Sequence, residues 1–405
     1  SRWLAVRALV DHGTFEIDEL LDRHMWNTID MVQHKNRDGE LRLYSSKPPL
    51  LITLLAGEYW LLQKLTGLTL AENPFEVVRI MLLTVHVLPL GLMIWIVASL
   101  AERLAGTDWA RLYVVAAAAF GTLLTTFAVV LNNHVVGAVS AAVALYAFVR
   151  IRFDGDERLR WYALCGLAAS FTAANELPAL ALLVGMGALL LWHNARSTLL
   201  GFLPAAALIV AAFFATNLWA HDSWRPPYMH RSETNAEDNW YVFTYTLDGR
   251  ERESYWSDPQ GVDRGEPSVP TYAWHVLVGH HGIFSLTPMW VLTAIGLALW
   301  SIGDAPKLRQ LGGSIAGLSL ICLAFYIAGR PQEDRNYGGV TSGLRWMFWF
   351  APLWLVGMIP ALDRAAGSKA LKFVALALLA ASVFSASFPT WNPWTIPWIE
   401  RWGQG

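Results

Sequence analysis

Five groups of polar residues in this chain have the types and spacing to do chemistry. In Tyr44-Ser45-Ser46-Lys47-Pro48-Pro49-Leu50 an ammonium precedes two prolines, which fix an extended approach and can start a helix. At headgroup depth Lys47 can meet a lipid phosphate, or it can simply snorkel. Asn132, Asn133 and His134 form a tight turn between two apolar stretches; they suit ligand contacts or a plain helix cap. Asn175 and Glu176 sit in the polar break Thr172–Pro178 of a long apolar run. A carboxylate in a broken membrane helix is a functional candidate by default, and facing a cavity suits it better than capping the next helix. His275, His280 and His281 fall within seven residues. A metal would need more: His280 and His281 are adjacent and no acidic or thiol ligand follows at a useful spacing, so no metal or other cofactor is expected. Hydrogen bonding to an acceptor or phosphate, or a role in starting the next helix, fits the histidines better. The loop Gly329–Trp346 carries Arg330, Arg335 and Arg345 with Asn336, Tyr337, Gly338 and Gly339. Glycines let backbone N–H groups approach an anion, and arginine pairs bidentately with phosphate. A loop cross-linked through Glu333 and Asp334 is the other reading.

The elements that must position these groups are apolar helices. Of the 405 residues 55% are hydrophobic and only 15% charged, and mean hydropathy is +0.36; a soluble globule carries about 25% charged residues. Twenty-one tryptophans and twelve tyrosines suit the aromatic belts of a bilayer. A net charge of −2 gives no support to a nucleic-acid partner. Cys165 and Cys322 lie in apolar runs and read as packing residues. No cleavable signal peptide is visible at Ser1-Arg2-Trp3-Leu4.

A spanning helix needs about 20 mostly apolar residues. The sequence predicts spans near 77–100, 112–131, 134–149, 199–217, 283–302, 313–329, 345–362 and 371–388. The stretch 161–192 is predicted to be two short helices meeting at the Asn175-Glu176 break, with Pro178 in the first turn of the second. That hairpin puts the loops with Arg103 and Arg111, with Arg150 to Arg160, with Arg196, with Lys307 and Arg309, and with Arg364 to Lys372 on one side, the cytoplasmic side by the positive-inside rule. Residues 1–76 then form a first extracytoplasmic loop, in which 49–66, carrying Glu58, Gln63 and Lys64, suits an interfacial helix better than a span. Residues 218–282 form a second such loop and 389–405 an outer tail, enclosing membrane blocks 77–217 and 283–388. The fold class expected is all-α: a polytopic bundle of about ten spans, with an eleventh expected ahead of Ser1.

The motifs YSSKPPL, NNH, NELP, GHHGIFSLTP and NYGGVTSGLRW, in that order, resemble bacterial members of the C-type glycosyltransferase (GT-C) superfamily, which includes protein O-mannosyltransferases and aminoarabinose transferases of lipid A. The resemblance covers nearly the whole chain; Lys-Pro-Pro alone is weak, and its order with the other elements is the stronger signal. It implies transfer of a sugar, with inversion, from a polyprenyl-phosphate donor to an extracytoplasmic acceptor at the inner membrane. It also implies a catalytic base, an Asp or Asp-Glu near the start of the first external loop, a stretch that is absent here or begins at Ser1-Arg2, so the base is expected ahead of Ser1; Asp30 and Glu176 are fallback carboxylates. Lys47, Arg345 and Arg335 are then expected at the donor phosphate. Tyr44, Asn133, His134, Asn175, Glu176, His280, His281, Asn336 and Tyr337 are expected to line the site. A flippase for lipid-linked sugars would need a similar cationic site, but no inverted repeat is visible. A surface-polysaccharide polymerase or ligase would differ in substrate size, which the residues do not encode.

Overall fold

The computed structural model describes residues 1–22, 25–231 and 238–403, and it is mostly helical. Among the described residues, seven helical stretches are long and apolar enough to cross a membrane: Pro74–Leu104, Asp108–Phe127, Asn133–Arg152, Ala195–His221, Pro306–Ala328, Arg345–Ala365 and Lys369–Ser387. The chain is therefore a helical membrane protein. Helix Pro49–Thr66, which was expected not to cross, is not among the seven. It starts at Pro49 as the sequence predicts and ends at Gly67, whose φ of 75° is the left-handed conformation glycine adopts without strain.

Two stretches depart from the expected continuous spans. The stretch 283–302 is divided into Ile283–Leu286 and Trp290–Ile302, because Pro288 removes a backbone donor and pushes Thr287 out of the helical region, to φ −132° and ψ 69°. The stretch 112–131 stops at Phe127 and is interrupted at Thr122, which is extended.

The chain divides into two compact units, Ser1–Leu83 with Leu208–Gly261, and Thr84–Ala207 with Val262–Gly405. The first unit contains two β-hairpins that an all-helical reading leaves out. Strands Met31–Lys35 and Leu41–Ser45 pair antiparallel with Met31 opposite Ser45. Their turn is closed by Asn36, whose Oδ1 accepts from the N–H groups of Asp38 and Glu40. Strands Thr244–Leu247 and Arg250–Glu253 are joined by Asp248-Gly249, with φ of 54° and 71°. Positive φ at both central residues is the two-residue hairpin turn that Asp-Gly favours. The core of this unit packs helix Arg2–Asp11 on Pro49–Thr66 through Val6, Ile52, Leu55 and Tyr59, each essentially inaccessible.

The second unit is a bundle whose centre is Asn133–Arg152 against Leu159–Asn175. Small residues on both helices (Gly137, Ala138, Ala141 and Ala144; Gly166, Ala169 and Ser170) let the backbones approach, as in membrane helix pairs generally. A Cβ on Gly166 would lie 2.2 Å from the carbonyl oxygen of Phe202, so only glycine fits there. One end of this bundle gathers the basic loops. Arg103 and Arg150 both pair with Asp154, at 3.3 and 2.9 Å; Arg152 donates to Gln310 at 2.7 Å, and Asp363 accepts from the Gly106 N–H at 2.9 Å. Glu157, just before the predicted hairpin, meets His193, just after it, at 2.7 Å. Leu159–Asn175 and Leu180–His193 thus run out and back, with the turn at Glu176.

Candidate functional site

Opposite the basic loops, the second unit gathers the polar residues singled out from the sequence. Asn132 is the N-cap of Asn133–Arg152, its side chain accepting from the Val135 N–H at 2.9 Å. That cap aims Asn133 and His134 at the hairpin break. Helix Leu159–Asn175 ends because Glu176 is extended (φ −135°, ψ 95°) and Pro178 follows in the next short turn. The Asn133 amide donates to the Glu176 carboxylate at 2.7 Å and to the Asn175 carbonyl oxygen at 2.8 Å; His134 Nδ1 bonds the same carboxylate oxygen. It is the backbone of Asn175, rather than its side chain, that takes part; the side-chain amide donates to Phe171. Glu176 is 5% exposed, and the small cavity at this end, lined by Thr122, His281, Gly343 and Phe348, does not include it.

Arg345 completes the chain of contacts. Its Nη1 lies 3.3 Å from His134 Nε2, and its Nε donates to the Gly338 carbonyl oxygen at 2.7 Å. Its guanidinium also lies over the Trp394 ring, 4.9 Å from the centroid. Arginine can only donate, so Nε2 of His134 is the acceptor and Nδ1 carries the proton given to Glu176. The order carboxylate, imidazole, guanidinium therefore has one self-consistent set of protons.

The loop that holds Arg345 is strained at its tip. Tyr337, Gly338 and Gly339 have φ of 57°, 94° and 80° in succession. A tyrosine in the left-handed region is uncommon and persists where packing over-determines it. Here the Tyr337 ring stacks on His281 (centroids 4.7 Å, planes 15° apart) and meets His280 edge-on at 5.0 Å. A Cβ on Gly338 would stand 2.9 Å from Arg345 Nε, which is why the arginine can fold back over this residue. Asn336 Oδ1 accepts from the Gly338 N–H at 3.2 Å.

Arg335 bonds backbone carbonyl oxygens. It is 8% exposed, and its guanidinium donates to the carbonyl oxygens of Glu266, Pro267 and Arg330 at 2.8, 3.0 and 3.2 Å. Those bonds tie the loop to the segment before Val269–Leu277. Arg330 pairs with Asp334 at 3.2 Å and covers the Trp346 ring at 4.4 Å.

His280 and His281 have their Nδ1 atoms in contact. Glu400, from the short helix Trp398–Gly403, brings Oε2 to 3.7 Å of the first and 3.9 Å of the second. Burial lowers the His280 pKa to about 4 and that of His281 to about 3, and it raises that of Glu400. Both imidazoles are therefore neutral at physiological pH.

In the first unit Lys47 Nζ forms an ion pair with Asp30 at 2.8 Å, both partly exposed. The Ser46 N–H also bonds the Asp30 carbonyl oxygen at 3.1 Å, so the hairpin entrance fixes both residues. Tyr44 precedes Lys47 by three residues. It is buried, stacked on His34 (4.1 Å, 6°), with its hydroxyl 3.4 Å from Glu16; burial, then Glu16, raises its pKa. His34 also bonds His221 at 3.0 Å and packs on Trp240, and His230 stacks on that same indole at 3.5 Å. The sequence reading passed over this aromatic cluster, as it did Trp394 and Glu400; their partners are more than a hundred residues away in several cases, beyond any local pattern.

No family model, curated protein or solved structure matches the chain.

Proposed function

We propose that this chain is a membrane glycosyltransferase that moves a sugar from a polyprenyl-phosphate donor to an extracytoplasmic acceptor, with inversion at the anomeric carbon. The observation that carries the reading is Arg345. Its half-buried guanidinium stands at the first residue of a span and is oriented by Gly338, His134 and Trp394. A fixed planar cation where a helix emerges suits a lipid phosphate, and a cation held ready in position stabilises the negative charge that grows on the leaving group. The network through His134 to buried Glu176 supports the same reading, since it holds the cation's nearest polar neighbour in one tautomer.

Lys47, in the first unit, is proposed as a lipid-phosphate cation on the ground of the YSSKPPL motif, and Asp30 is the carboxylate paired with it. In the reaction, the acceptor oxygen forms a bond to the anomeric carbon as the bond to the phosphate oxygen breaks. A carboxylate takes the acceptor's proton, and the lipid phosphate leaves as the anion. The motif order and the basic loops support a GT-C-type bundle of about ten spans at the inner membrane, counting Leu159–Asn175, Leu177–His193 and Trp290–Ser301 as short crossings. The loops with Arg103, Arg150 and Arg158 would then be cytoplasmic.

Arg345→Ala and Lys47→Ala are each expected to abolish transfer of radiolabelled sugar from a polyprenyl-phosphate donor while the protein still inserts in membranes. Full transfer by both variants would exclude these site assignments. Energy-independent movement of the lipid-linked sugar across vesicles, with no transfer to any acceptor, would replace the enzyme by a flippase.

A further inference from the structure

We propose that His280, His281 and Glu400 form a binding site for a divalent transition metal ion of the zinc class, with one coordination position left open. Three ligand atoms converge there: Nδ1 of each imidazole and a carboxylate oxygen of Glu400, all within 4.8 Å of one another. Ligands on a tetrahedral zinc ion lie about 3.3 Å apart, given metal–nitrogen distances near 2.0–2.1 Å. The two imidazole-to-carboxylate gaps, 3.7 and 3.9 Å, are each within about 0.6 Å of that spacing. The two Nδ1 atoms are closer than it, so a bound ion would spread the rings slightly.

The donor set is chemically selective. Two imidazoles and one carboxylate suit zinc and its neighbours, whereas magnesium and calcium prefer all-oxygen shells. Three protein ligands with an open fourth position is the pattern of sites that bind a water or a substrate group.

Both arms of the site are held in place before any ion arrives. His281 is 1% exposed and stacked on Tyr337. The turn that carries the pair is locked by the Ser285 hydroxyl donating to the Gly279 carbonyl oxygen at 2.6 Å. A Cβ on Gly282 would meet that hydroxyl at 2.3 Å, so the turn needs glycine. On the other arm, the Trp398 indole N–H donates to Ser385 at 2.8 Å and its ring meets Phe384 edge-on, which places Glu400 one further half-turn along the short helix. An ion here would pin the segment after Ser387 to the His280-His281 turn. The site does not depend on the glycosyltransferase reading, since no substrate enters the argument.

The test uses the full chain in detergent, with any histidine tag removed and metals stripped by a chelator. Titration with zinc chloride alone is expected to show one bound ion per chain. Glu400→Gln and His280→Gln, conservative changes at partly exposed positions, should each weaken binding by about tenfold or more. Zinc should also slow tryptic cleavage after Arg401 in the parent chain and leave the rate unchanged in Glu400→Gln. Absence of stoichiometric binding would overturn the proposal, and so would equal affinity in the parent and both variants. Magnesium binding as tightly as zinc would show that the imidazoles are not ligands.

Discussion

Removing Glu176 tests whether the carboxylate–imidazole–guanidinium chain is one energetic unit. The carboxylate is 5% exposed, and one of its oxygens accepts from both Asn133 and His134. Glu176→Ala leaves the buried His134 donor and the partly buried Asn133 amide without that acceptor, at a cost of about 1–3 kcal/mol each. The expected loss is therefore about 2–4 kcal/mol. His134→Ala removes the buried donor to the same carboxylate and should cost a similar amount. The double variant removes both members of the hydrogen bond, so its loss should fall short of the sum by about 2 kcal/mol, within the range for residues in direct contact. Glu176→Gln keeps an acceptor for Asn133 and should recover at least half of the alanine loss. The assay is equilibrium unfolding in mixed micelles, followed by tryptophan fluorescence. If the single losses add to the double within about 0.5 kcal/mol, the two side chains are not coupled and the reasoning fails.

Two further outcomes follow from the geometry. Gly137→Ala would place a Cβ 3.1 Å from Glu176 Cγ and 3.7 Å from Trp349 Cβ, and should destabilise the second unit by about 1–3 kcal/mol; a variant as stable as the parent would show that the helix and the carboxylate are not in close contact. In the first unit, burial lowers the His34 pKa to about 4 from 6.5. Between those values the unfolded chain binds the proton and the folded unit does not, so stability is complete above about pH 6.5 and is lost as pH falls toward 4, by roughly 3 kcal/mol in all. Hydrogen exchange at Met31–Lys35 should accelerate over that window in the parent and much less in His34→Phe; protection that is flat with pH in the parent would refute the buried neutral imidazole.

What the sequence determined by itself is what local chemistry dictates. Long apolar runs with few charges must be helices in a bilayer, because a membrane leaves backbone groups no other partner. The break at Asn175-Glu176-Leu177-Pro178 was legible because a proline and a carboxylate interrupt an apolar run, and the helix does stop there. The basic loops were assigned to one side by charge alone, and the contacts of Arg103, Arg150 and Glu157 place them at one end of the second unit. Two local signals were present but outweighed by the helical pattern. Asp248-Gly249 is a hairpin turn, and Thr287-Pro288 divides an apolar run that length alone makes a single span.

Tertiary structure alone decided which polar residues meet. Arg335 and Arg345 stand ten positions apart in one loop, with the same charge and similar neighbours. The first donates to three carbonyl oxygens and the second reaches His134, because only the second stands beyond the left-handed Tyr337-Gly338-Gly339 turn that folds it back toward the helix ends. Glu400 has no local feature that marks it as a partner for His280 and His281. It becomes one when Trp398 docks on Ser385, since a carboxylate's role depends on what lies within a few ångströms of it and not on what lies near it along the chain.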